Sequence, residues 1–251
     1  MQNDPMQRDL PQKNLLVIGG TGDLGLALVR AMLDETDSVT VQGIGDLTAA
    51  RALAAECPKV RVLEADLTDA DATAQLIEQV RAVAVPTHLV HLPALQVVNT
   101  RFRSFDEARF EKDFTIQAES AVRICKAFVP EMAKAGFGRV LFVLTSYLLG
   151  LPPKNVAAYV MAKSAVQGLA RSLAVEYAAK GVTVNSVAPG MIETNFLSGT
   201  NELIVQASAA ANPMGRNAQV GDVVPAMRFL ISEEARYITG VTLPVTGGAQ
   251  I

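Results

Sequence analysis

Seven short runs rich in leucine or β-branched residues recur along the chain: NLLVIG (14–19), SVTVQG (38–43), VRVLEA (60–65), THLVHL (87–92), RVLFVLT (139–145), VTVNSV (182–187) and GVTLPV (240–245). Longer stretches with helical patterning separate them. Continuously apolar strands belong to a sheet covered on both faces, and strands that alternate with helices pair in parallel through right-handed crossovers. The expected fold class is therefore α/β, one doubly wound domain around a parallel seven-stranded sheet. A chain of 251 residues is long enough to bury the core this needs. No linker, internal repeat or low-complexity block divides it. Residues 1–13, MQNDPMQRDLPQK, are polar, lack the apolar centre of a signal peptide and read as a flexible tail ahead of a domain spanning 14–251. Residues 194–213, TNFLSGTNELIVQASAAANP, interrupt the rhythm just after a strand and are expected to form a mobile flap.

Charge narrows the choice of partner. With 22 basic and 25 acidic residues the net charge is −3, which gives no bulk attraction to nucleic acid or to an anionic membrane, so a small molecule is the expected partner. The two cysteines, Cys57 and Cys125, have neither CxxC nor metal-ligand spacing. They read as buried thiols of a cytoplasmic protein, with no metal site. The longest stretch free of Asp, Glu, Lys and Arg, 82–100, is broken by Pro86, His88, His91 and Pro93 and does not suit a spanning helix.

Gly19, Gly20, Gly22 and Gly25 lie directly between the first apolar run and an amphipathic helical pattern. Glycines at such a junction permit a tight turn, close approach of a pyrophosphate to backbone amides, and an anion at a helix N-terminus. Asp23 is discordant. It can cap the helix, yet its carboxylate has to turn away from a bound pyrophosphate. About 18 residues beyond the last glycine, an acidic residue would hold an adenosine ribose and an arginine would hold a 2′-phosphate. The chain offers VQGIGD there, where Gly43 and Ile44 supply neither group and Asp46 suits the cap of the next helix. Without a carboxylate to repel a 2′-phosphate, the balance favours NADP(H) over NAD(H), and a carboxylate placed at Gly43 is expected to move the preference toward NAD(H).

The stretch AAYVMAKSAVQGLA (157–170) carries one charge, Lys163, one turn after Tyr159. Residues at i and i+4 share a helix face, so the ammonium can act on the phenol through space. A helix apolar nearly all round is expected to be buried, and a buried ammonium needs partners. A snorkelling stem or a structural ion pair is the alternative use of that cation.

Taken in order, the glycine turn, Ser146 in FVLTSYLLG, Tyr159 and Lys163 in YVMAK, VNSVAPGMIET and the closing ITGVTLPVTGG resemble the short-chain dehydrogenase/reductase family over nearly the whole chain from Asn14. Its 3-oxoacyl-carrier-protein reductases are the nearest in character. The resemblance implies a Rossmann-type fold and interconversion of a ketone and a secondary alcohol by hydride transfer with NAD(P). Tyr159 would exchange a proton with the substrate oxygen. Lys163 would favour the tyrosinate and hold the nicotinamide ribose, and Ser146 would orient the carbonyl. Gln117 aligns with the family's fourth catalytic residue, an Asn that helps hold a water beside the lysine. The cofactor would lie along Gly19, Gly20, Thr21, Gly22, Asp23, Leu24 and Gly25, then Asp66 and Leu67 near the adenine. His91, Tyr159, Lys163, Pro189, Gly190, Ile192 and Thr194 would meet the nicotinamide half.

Departures from the family pattern accompany these matches. The glycine spacing G-x-x-G-x-x-G is that of longer family members, HLPA (91–94) replaces Asn-Asn-Ala-Gly, and Thr246 replaces an Asp. A hydrogen-bonded scaffold role is favoured for His91 over acid-base work. Met191, Phe196, Leu197 and Leu203 suggest an apolar pocket for a 3-oxoacyl thioester or another apolar ketone. The Arg that commonly docks an acidic carrier aligns with Val175, leaving carrier-bound and free substrates open. The competing reading is a catalytically retired nucleotide-binding regulator, motivated by Gln117, His91 and Asp23 and opposed by the intact Ser146, Tyr159 and Lys163. Family likeness also implies a homotetramer or homodimer through helices around 105–135 and 156–180.

Overall fold

All seven apolar runs become strands of one sheet in the computed structural model, which describes residues 12–249. They are β1 (Asn14–Ile18), β2 (Ser38–Gly43), β3 (Val60–Glu64), β4 (His88–His91), β5 (Gly138–Val143), β6 (Val182–Pro189) and β7 (Thr242–Val245). Their spatial order is β3-β2-β1-β4-β5-β6-β7, and every pairing is parallel. The N-terminal tail up to residue 11 lies outside the described residues. From Gln12 the backbone is already engaged, since the Gln12 carbonyl accepts from Thr87 Oγ1 at 3.0 Å and Lys13 N donates to Asp37 at 2.7 Å.

The helices are α1 (Asp23–Met32), α2 (Thr48–Glu56), α3 (Ala70–Arg81), α4 (Glu107–Phe114), α5 (Ser120–Ala135), α6 (Ala157–Tyr177), α7 (Glu202–Ala211) and α8 (Val220–Ile231). Strand side chains alternate between faces, and the core divides accordingly. Leu16 and Ile18 join the side chains of α3, α5 and α6, while Leu15 and Val17 join those of α1, α2 and α8. Burying each such side chain contributes about 1.5–3 kcal/mol. β5 and β6 are buried along their whole length, which is why they read as continuous apolar runs.

Two helical features position the site. Between α4 and α5, Thr115–Glu119 form a π-turn, an inserted residue that widens the helix and often marks a functional position. In α6, Ala162, Val166, Ala170 and Ala174 form a buried stripe at four-residue spacing, with Lys163 beside it. The helix is not buried all round, as its apolar sequence suggested. Met161 is 48% exposed and Val175 85% exposed.

The chain leaves β1 toward β2 on one side, and β4 pairs with β1 on the other, so a crevice opens at their carboxyl ends. Gly19 lies in it with φ +68°, and a Cβ there would sit 2.9 Å from the Pro93 nitrogen. Glycine is required on both counts. Cys125 is buried, and burial pushes its thiol up to about 12, whereas Cys57 is only half-buried.

β4 carries two buried histidines, His88 and His91, and burial lowers each to about 3, with Arg139 adding to the effect on His88 and Lys163 to that on His91. Unfolded, each takes up a proton near pH 6.5; folded, it stays neutral to about pH 3. Their stabilisation is fully present above pH 6.5 and is lost as pH falls toward 3. Between pH 6.5 and 5 each histidine is expected to lower unfolding free energy by about 1.4 kcal/mol per pH unit at the steepest. Urea unfolding across that window should show His91→Asn reducing the slope by about half; an unchanged slope would mean that His91 is charged when folded.

Candidate active site

The carboxyl end of β5 and one face of α6 form the centre of the site. After Val143, Leu144, Thr145 and Ser146 stay buried, and Ser146–Leu148 make a short 3₁₀ turn packed against α6. Thr145 begins that turn by accepting from Tyr147 N at 3.4 Å. Lys163 is 3% exposed, and its Nζ donates to the Val143 carbonyl at 2.8 Å. The ammonium stands 5.9 Å from the Tyr159 ring centroid. An ammonium has three donors, and the described residues engage one.

Burial lowers the Lys163 ammonium to about 8, with Asp113 acting in the opposite direction. Burial raises Tyr159 well above its ordinary value; the Thr145 hydroxyl works against that shift, and Tyr147 and Asp113 reinforce it. Tyr159 is therefore protonated at neutral pH, a form suited to donating a proton. Thr145 was not among the residues expected from the sequence. A threonine ending a strand looks like any other turn former.

Gln117 lies in the π-turn with no exposed surface. Its Nε2 donates to Asp113 Oδ1 at 2.7 Å, while its Oε1 has no partner among the described residues. His91, at the end of β4, pairs its Nε2 with Ser120 Oγ at 3.0 Å. Because Ser120 Oγ donates to the Ile116 carbonyl at 2.5 Å, the ring must carry its hydrogen on Nε2. Through this bond His91 ties β4 to the first turn of α5.

The glycine turn is held from below by Gln42, also unforeseen. Its Oε1 accepts from Gly19 N at 2.8 Å, its carbonyl accepts from Gly20 N at 2.9 Å, and its Nε2 donates to the Ala65 carbonyl at 2.8 Å. Gly22 is the N-cap of α1 and supplies no side-chain cap, so first-turn amides are left for an anion. A Cβ on Gly22 would meet nothing within 4 Å, so packing does not demand glycine there. Leu24 packs against the core, and Gly25 lies against the Gly20 backbone. Asp23 does not cap α1. Its carboxylate accepts from Asn195 N at 2.7 Å and Asn195 Nδ2 at 3.2 Å, across 172 residues of sequence.

Asp66 is exposed at the end of β3 and accepts from Thr68 N and Oγ1 at 2.9 and 2.7 Å, while Leu67 is buried in the core. Asp69 caps α3. Asp46 accepts from Thr48 N at 3.0 Å but is not the N-cap of α2, a position held by Leu47 without a side-chain cap. Beyond Pro189, Gly190 N donates to the Val245 carbonyl at 3.0 Å, Ile192 bridges Ala218, and Thr194 Oγ1 donates to the Ile192 carbonyl at 3.4 Å. The 194–213 segment contains a short turn, Asn195–Leu197, and the helix α7, which buries no residue. Phe196 and Leu203 are 36% and 72% exposed. The cavity beside Tyr159, about 40 Å³, is lined instead from the β4–α4 side by Gln96, Val98, Phe105, Phe110 and Asp113.

A family model described as Enoyl-(Acyl carrier protein) reductase matches residues 21–250. The chain is 33% identical to the 3-oxoacyl-(acyl-carrier-protein) reductase FabG of Haemophilus influenzae, covering 94% of this chain and 97% of that protein. The chain belongs to the short-chain dehydrogenase/reductase family. It is also 30% identical to a cis-4-hydroxycyclohexanecarboxylate dehydrogenase of Sinomonas cyclohexanicum, covering 93% and 94%. A solved 3-oxoacyl (acyl-carrier-protein) reductase of Agrobacterium tumefaciens with NADP bound superposes with a TM-score of 0.84 at 26% identity, covering 94% and 93%.

As a member of this family the protein is an NAD(P)-dependent oxidoreductase acting on CH–OH or C=O groups. Its residues fit such a cofactor: the crevice, the uncapped start of α1, the open space at Gly22 and the free donors of Lys163 lie along the same sheet edge.

The ribose end differs from expectation. Gly43 does end β2, but a Cβ on it would come within 2.2 Å of Thr21 Cγ2 and 2.8 Å of Thr21 Cβ. Rotating Thr21 cannot relieve the second contact. Gly43→Asp alone is therefore expected to weaken both NADH and NADPH binding instead of switching preference. In a Thr21→Gly background, Gly43→Asp should lower the ratio of kcat/KM for NADPH to that for NADH by about tenfold. Cofactor titration of the single variant provides the check; normal affinity there would remove the steric argument.

Proposed function

We propose that the protein is an NADPH-dependent ketoreductase that reduces an apolar ketone, either a 3-oxoacyl thioester or a free ketone. The observation that carries this reading is the buried Lys163 ammonium, seated on the Val143 carbonyl one helical turn from Tyr159. When bound, the nicotinamide would supply hydride for the substrate carbon. Tyr159 gives its proton to the carbonyl oxygen, Ser146 orients that oxygen, and Lys163 would hold the nicotinamide ribose with its remaining donors. Gln117 anchors a water through its unpartnered Oε1. The protonated state that burial enforces on Tyr159 supports the reducing direction.

Apolar residues near the site support the substrate class. Val97, Val98, Phe105 and Phe110 line the cavity beside Tyr159, and the flap presents Phe196, Leu203 and Ile204. Flap motion would hinge where Ile192 meets Ala218, with Asp23–Asn195 and Gln96–Ser198 as its attachments. The preference for NADPH is supported by the missing carboxylate at Gly43 and by Arg51. That guanidinium reaches Glu64 at 3.0 Å, and Glu64 lies in register with Gly43. Asp66 would serve the adenine.

Assembly as a homodimer or homotetramer through α4–α5 and α6 is part of the same reading. Phe114, Ala118, Val122, Ala165 and Leu169 line an open groove there, and the buried Arg123 Nη1 has no partner among the described residues. A second copy would cover the groove and the exposed Met161 and Val175. Among the described residues no helix is long and apolar enough to cross a membrane. The free cysteines suit a cytoplasmic location.

NADPH oxidation with a panel of ketones tests the activity. Tyr159→Phe is expected to lower kcat by about 10²–10⁴ while cofactor affinity stays within about twofold, and Lys163→Ala should damage both. A Tyr159→Phe enzyme turning over near the wild-type rate would refute the mechanism. Val122→Asp places a charge in the proposed interface and should shift the solution mass by light scattering to the monomer; an unchanged mass would assign assembly to another face.

A further inference from the structure

Asp113, in the last turn of α4, is the one aspartate or glutamate buried among the described residues, at 7% exposure. No lysine or arginine there forms an ion pair with it. Of the cations on its own helix, Arg109 donates to the Gln96 carbonyl at 2.8 Å, and Lys112 forms no salt bridge with Asp113 among the described residues. Both hydrogen bonds to Asp113 fall on Oδ1, one from Gln117 Nε2 at 2.7 Å and one from Leu95 N at 3.1 Å. Lys163 is buried too and likewise has no carboxylate bonded to it, only the Val143 carbonyl.

We propose that Asp113 is a positioning residue of this site, a buried counter-charge to Lys163 that also orients the Gln117 amide. The inference rests on the reading of Lys163 given above. Asp113 lines the cavity that contains Tyr159, and the π-turn holding Gln117 packs against α6. An ionised carboxylate only accepts, so it fixes which end of the Gln117 amide faces it and leaves Oε1 as a buried acceptor with no partner among the described residues. A mere tie between the β4 loop and α4 would not need a charge. An asparagine could accept the same two bonds at its own Oδ1 without the penalty of burying an ion. Asp113 acts on Tyr159 and Lys163 of α6, and Asp106 and Arg109 of its own end of the cavity line the same space; of the two cations, Lys163 is the buried one. Asp113 opposes the downward shift that burial gives Lys163.

The test removes the charge and keeps the bonds. Asp113→Asn, and Asp113→Ser as a second uncharged acceptor, are prepared with ε-¹³C-lysine, and the Lys163 resonance, assigned by its loss in Lys163→Met, is titrated without cofactor. The midpoint, about 8 in the wild type, is expected to fall by about one pH unit in both, with Asp113→Glu close to wild type. The loss of kcat/KM should then be about sevenfold greater at pH 8.5 than at pH 6. Folded variants with an unmoved Lys163 midpoint would reduce Asp113 to a loop tie and overturn the proposal. A shifted midpoint with no change in the pH profile would uphold the counter-charge and instead refute the catalytic use of Lys163.

Discussion

Parallel pairing brings the carboxyl ends of all seven strands to one edge of the sheet, and the rest of the molecule is arranged around that edge. The glycine turn follows β1, His91 ends β4, Thr145 and Ser146 follow β5, and Pro189 ends β6. None of these groups is near another in the chain. They converge because each crossover returns the chain to the same starting side. The edge also supplies a ligand of its own: with β5 ending at Val143, its carbonyl is free to take the Lys163 ammonium.

A buried ammonium is a liability to folding, and replacing such groups by apolar residues often stabilises a protein. Here the surroundings are polar in a selective way. Lys163 holds a carbonyl, Gln117 and Leu95 hold Asp113, and Ser120 holds a neutral His91. The π-turn makes this possible, because the extra residue between α4 and α5 accommodates Gln117 inside the helix pair with no exposed surface. Desolvation raises Tyr159 and lowers Lys163, the combination that keeps the phenol protonated and the cation easily perturbed.

Several local inferences from the sequence and the structure agree for identifiable reasons. Strand positions follow from apolar runs, since burial on both faces leaves no room for alternation. The shared face of Tyr159 and Lys163 follows from helical pitch alone. Asp113 could have been found by the same rule, because it precedes Gln117 by four positions on one helix. The burial of α6 could not. Its sequence is apolar on most sides, and only packing shows that Ala162, Val166, Ala170 and Ala174 face inward while Met161 and Val175 remain outside.

By itself the sequence determined the layered α/β fold, the glycine turn, and the spacing of Ser146, Tyr159 and Lys163, because these depend on periodicities and distances measured along the chain. The tertiary structure decided that Asp23 holds Asn195 instead of capping α1, that Thr21 fills the space beside Gly43, that Gln42 supports the glycine turn, and that Asp69 caps α3. Most of these are contacts between residues distant in sequence, and a carboxylate or methyl group has no preferred partner until the fold brings one within a few ångströms. The exception is local: the backbone path after β3 presents the Asp69 carboxylate to the first amides of α3, while Asp66 bonds Thr68.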